Sequence, residues 1–104
     1  MRVSVEEALK ELEANNAVFA TMMEYGTMAV EIYKPEGEDH QQPHDQDELY
    51  VVVSGQGIFN NDGYELPFKA GDVLFVPAGK PHFFQEFSED FLTWVIFYGK
   101  KGGE

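Results

Sequence analysis

The chain has 104 residues, 43% of them hydrophobic and 14% aromatic, enough for one modest core in a single domain. Its formal charge of −12 opposes binding to nucleic acid or to an anionic membrane. It has no cysteine, which excludes disulfides, thiolate nucleophiles and zinc–thiolate sites together.

In chain order, Ser4 and Glu7 have capping-box spacing. Val5, Ala8, Leu9 and Leu12 follow at helical intervals, which predicts a short helix over 4–14 that covers part of the core. From Ala17 the signals switch to strands. Val18–Tyr25 and Thr27–Lys34 flank Gly26, and Pro35 closes the second run. An acidic segment rich in histidine and glutamine leads to a strand from Glu48 to Val53 and a turn at Ser54–Gly55. Ile58–Phe59 and Tyr64–Phe68 flank Asp62–Gly63, a strong hairpin signal. Val73–Val76 precedes the rigid loop Pro77–Pro81, and His82–Phe87 and Phe91–Tyr98 are the last predicted strands. Many short strands between turns predict an all-β sandwich or barrel over 17–98, with a loose tail over 99–104. Phe91–Tyr98 is apolar on both faces, so its outer face is expected to meet the helix, a second sheet or another subunit. That run is far too short for a membrane span, and the N-terminus has no basic-then-apolar segment. The cytoplasm is the expected location.

The stretch from Gly37 to Gly55 concentrates His40, His44 and Glu48. Positions 40, 42, 44, 46 and 48 share parity, so an extended segment would point them one way. A carboxylate entering an apolar wall needs a partner, and a divalent cation held with imidazoles is one solution. A solvated strand end is the alternative. His82, behind a stiff Pro/Gly turn, favours the first.

These residues resemble the cupin superfamily, in its small single-domain form. The first cupin motif, G-x5-HxH-x3,4-E-x6-G, is matched by Gly37, His44, Glu48 and Gly55, with Gln42 at the first histidine position and one residue too few after Gly37. The second, G-x5-PxG-x2-H-x3-N, is matched by Gly71, Pro77, Gly79 and His82, with Glu86 in place of asparagine. The resemblance implies a double-stranded β-helix barrel of the jelly-roll type, commonly a homodimer. It also implies a divalent Fe(II), Mn(II), Ni(II) or Zn(II) held by His44, Glu48 and His82. Three side chains plus water rank first as the ligand set. Gln42 as a weak fourth ligand ranks second and His40 third, and a metal-free site is a further alternative.

Glu48 and Tyr50 are the candidate catalytic residues. Tyr50, Phe59, Phe75, Phe84 and Trp94 are candidate pocket walls, with core packing as the alternative for each. The only arginine is Arg2, and acidic residues surround the expected mouth. A neutral, phenolic or cationic small molecule is therefore expected rather than an anion. Apart from Glu48, that acidic run is expected to be solvated loop. Ser54 and Ser88 lack a histidine at nucleophile spacing, which disfavours a hydrolase. The function expected is a metal-dependent oxygenase or isomerase/lyase, or else a non-catalytic ligand-binding or sensing protein.

Overall fold

The computed structural model describes residues 1–104. The helix α1 spans Val5–Ala14. Eight strands follow: β1 Phe19–Tyr25, β2 Met28–Tyr33, β3 Asp47–Ser54, β4 Gln56–Asn61, β5 Tyr64–Lys69, β6 Val73–Val76, β7 His82–Gln85 and β8 Leu92–Tyr98. They form two antiparallel sheets, one in the order β1-β2-β8-β3-β6 and one in the order β5-β4-β7. This is the expected double-stranded β-helix architecture.

Alternation along β3 sends Glu48, Tyr50 and Val52 inward. β8 answers with Thr93, Val95 and Phe97, and the second sheet adds Phe59, Phe68 and Phe84. The main core is therefore a sandwich filling built largely of aromatic rings, with Phe84 in edge contact with Tyr50 and Phe68. The outer face of β8 meets the helix, one of the expected partners. Ala8 and Leu12 pack there against Ile32 and Leu92, with Trp94 beside them. Trp94 therefore lies under the helix and not on a pocket wall. Phe75 pairs with Leu49 in the outward register and is 45% exposed, so it lines no interior either.

The turns follow the sequence signals. Asp62 and Gly63 both adopt positive φ, 53° and 89°, as a two-residue type I′ hairpin requires. Gly55 has φ 88°, and a Cβ there would sit 2.5 Å from the Phe91 Cα. Only glycine fits where β3 hands over to β4.

The expected loose tail is a correction. The Gly102 amide donates to the Asp45 carbonyl at 2.6 Å. The Glu104 amide donates to Asp47 Oδ2 at 3.0 Å, while Asp47 Oδ1 accepts from the Ala78 amide at 2.9 Å. Asp47 is buried and satisfied by these backbone donors, which hold its carboxyl below the usual range. It is not part of a solvated acidic run.

Candidate metal centre

Three side chains from separated positions converge inside the barrel. Glu48 opens β3, His82 opens β7, and His44 lies on the loop before β3. One ligand atom from each lies within 4.8 Å of the others. His44 Nδ1 is 3.1 Å from Glu48 Oε1, and His82 Nε2 is 2.8 Å from the same oxygen. Glu48 and His82 are buried at 1% and 2% exposure.

His82 Nδ1 lies 2.9 Å from the Lys80 carbonyl oxygen. A carbonyl only accepts, so Nδ1 carries the proton and Nε2 faces the cluster. The approach of Nε2 to Glu48 is close but off the line of a hydrogen bond. Both His82 Nε2 and Glu48 Oε2 are buried without a hydrogen-bond partner. Buried electron-rich atoms such as these need positive charge beside them, a proton or a cation. The donor set, two imidazoles and one carboxylate, suits a divalent transition metal. These residues fit the metal that the motifs imply.

The electrostatics agree. Burial alone would raise the Glu48 carboxyl, but hydrogen bonding and charge from His44 and His82 outweigh it and hold the group below its usual range. Burial would lower His82, yet Glu48 and the Lys80 carbonyl leave it raised. Burial, then the charges of Glu48 and Asp39, push the Tyr50 hydroxyl well up.

The remaining expected residues lie elsewhere. Gln42 is exposed, on the rim of a cavity of about 460 Å³. His40 is exposed on the same rim, with Nε2 3.3 Å from the Glu38 carboxylate, and does not join the cluster. The shared parity of 40 to 48 does not hold, because residues 38–46 are not a strand. Gln46 turns away and donates to the Thr27 and Gly99 carbonyls. Tyr50 is fully buried between Phe59 and Phe84 and does not line the cavity.

The inward-turned residues of this loop are Asp39 and Gln41. Tyr50 donates to Gln41 Oε1 at 3.0 Å. Gln41 Nε2 donates to Asp39 Oδ2 at 2.6 Å. Asp39 also accepts from the Tyr33 hydroxyl and, at 2.8 Å, from the Phe84 amide. Asp39 is thus another exception to the solvated acidic run. Parity would have found neither residue, since neither lies on a strand.

The cavity lies beside the cluster and shares His44 with it. Phe19, Tyr33, Val95 and Phe97 supply its apolar surface, and Glu31 is a half-buried carboxylate on its wall. Burial, only partly offset by His44 and Thr21, raises the Glu31 carboxyl.

A family model for the cupin domain matches residues 29–98. The chain belongs to the cupin family. It is 34% identical over 95 residues to an uncharacterised protein of Streptomyces coelicolor, covering 89% of this chain and 90% of that one. It is 36% identical over 74 residues to an oxalate-binding protein of Thermotoga maritima, covering 70% of this chain and 54% of the relative. An acireductone dioxygenase of Alcanivorax borkumensis is 41% identical over 70 residues, covering 64% of this chain and 38% of the relative. The chain thus spans about half or less of the two relatives whose names state a function. No helix is long and apolar enough to cross a membrane.

Proposed function

We propose that this cupin holds a divalent transition metal through His44, Glu48 and His82 and acts as a metal-dependent enzyme on a small non-anionic molecule, as an oxygenase or an isomerase/lyase. The observation that carries this reading is the convergence of His44, Glu48 and His82, whose ligand atoms lie within 4.8 Å of one another, together with two buried atoms, Glu48 Oε2 and His82 Nε2, that have no hydrogen-bond partner. With three protein ligands, a bound metal would keep open positions for water or substrate and supply Lewis-acid or oxygen chemistry there. The chain's own part is to hold the ligands. The Lys80 carbonyl fixes the His82 tautomer, and Phe97 packs edge-on against the His44 ring at 4.9 Å. The Tyr50–Gln41–Asp39 chain braces the loop that carries His44. The relative named as a dioxygenase supports the oxygenase branch.

The second reading is a non-catalytic ligand-binding cupin. The glutamine at the first histidine position favours it, because one fewer imidazole weakens metal retention. The relative named as oxalate-binding is consistent with it. In either reading the protein works as a homodimer, which sedimentation equilibrium tests.

Elemental analysis of untagged protein tests the metal. Close to one metal per subunit is expected, with large losses in His44→Ala and His82→Ala. A content far below one that Fe(II), Mn(II), Ni(II) and Zn(II) all fail to restore would overturn the metal reading.

A further inference from the structure

The cavity holds a carboxylate that the metal cluster does not use. Strand register fixes its direction. Glu31 pairs with Thr21 on β1 and Val95 on β8, and Val95 pairs with Tyr50 on β3. Ala29, Phe97 and Glu48 form the adjacent row. Glu31 therefore faces the same interior as Glu48, with β8 between them. Its hydrogen-bond partner is the Thr21 hydroxyl, at a long 3.4 Å, so most of its acceptor capacity faces the cavity.

Carboxylates dominate the surroundings, with His40 and His44 the imidazoles on the wall. Glu36 and Glu38 stand with Glu31 around the cavity, and no lysine or arginine lines it. Phe19, Tyr33 and Phe97 present aromatic surface. A cation gains from the carboxylate by charge-assisted hydrogen bonding and from the rings by their negative faces. The three carboxylates repel an anion.

We propose that the cavity binds a small, largely apolar molecule bearing a protonated amine, and that Glu31 is the specificity-determining residue that receives the ammonium. The apolar body lies along Val95 and Phe97, toward His44. This deepens the proposed function, on which it rests only for the ligand's end that faces the metal. The preference for a cation rests on the cavity itself.

Benzylamine, benzyl alcohol and phenylacetate share one ring and differ in charge. Calorimetric titration at neutral pH should rank them in that order, with benzylamine about tenfold tighter than the alcohol, the worth of one charge-assisted hydrogen bond. Glu31→Gln, nearly isosteric, should erase the benzylamine preference and leave the alcohol's affinity within about twofold. The Glu65→Gln/Glu89→Gln double variant, exposed and away from the cavity, removes charge from elsewhere and should keep it. Equal binding of the three probes, binding of none, a preference that survives Glu31→Gln, or its loss in the double variant would each overturn the proposal. Should Glu31→Gln not fold, the wild-type ranking and the double variant still decide. Metal-free and metal-loaded protein are titrated in parallel. Absent metal with an intact amine preference sinks only the metal reading, and the converse sinks only this one.

Discussion

Both imidazoles of the cluster approach the same Glu48 oxygen, Oε1, and leave Oε2 bare. One residue therefore sets the charge of the whole site. Glu48→Gln keeps the shape and removes the charge, and metal affinity should fall by at least about 100-fold, measured by competition with a chelating dye. Two backbone positions give stability predictions. A methyl group at Gly55 would collide with the Phe91 backbone and occupy a positive φ, so Gly55→Ala should cost about 3 kcal/mol or more in urea unfolding. Glu86 adopts φ 51°, a conformation that asparagine tolerates better than glutamate. Glu86→Asn should therefore stabilise the protein by up to about 1 kcal/mol. The asparagine of the second motif thus has a backbone reason, and its absence here does not touch the site. At this scale His44, Glu48 and His82 were legible because proline and glycine punctuation fixes their spacing. Glu31 was not, because its direction depends on pairing with β8, more than 60 residues away in sequence.

The helix and strands were legible for local reasons. Ser4 accepts from the Glu7 amide at 3.0 Å, and the Glu7 carboxylate accepts from the Ser4 hydroxyl and from Arg2, as the capping-box spacing predicts. The hydrogen bonds from Ser4 hold the Glu7 carboxyl below its ordinary value of 4.5. A depressed acid stabilises the folded state above that value, and the contribution is lost as pH falls through the lower folded one. Acidification below about pH 4.5 should therefore loosen the docking of α1, and Glu7→Gln should flatten this dependence in a far-ultraviolet circular dichroism titration. Leu12 is 5% exposed against the outer face of the large sheet. Leu12→Ala should cost about 2–4 kcal/mol in denaturant unfolding. Alternation failed only over residues 38–46, since periodicity assigns faces to strands and this segment is not one.

Taken whole, the molecule is two sheets held by an aromatic filling, with a charged triad set into one end. A ligand that binds only the folded form raises stability with its concentration. Metal at about 100 times its dissociation constant should add about 2.7 kcal/mol, and chelator should remove that gain, read as a shift in thermal midpoint. Three donors, Glu48 and His82 buried and His44 half-buried, are held in place by β3, β7 and one loop and have no counterpart in the unfolded chain, so this gain belongs to the assembled barrel.

That assembly has an order in time. The Asp39 carboxylate ties together Tyr33 on β2, Gln41 in the loop and Phe84 on β7, the last 45 positions away. Such a knot can close only once both sheets have met, after most of the entropy of loop closure has been spent. Asp39→Asn should therefore leave the refolding rate nearly unchanged and speed unfolding, with a φ-value near zero. The carboxylate that orders the loop before β3 acts as a latch on the finished fold, and it governs how long the barrel stays shut rather than how fast it forms.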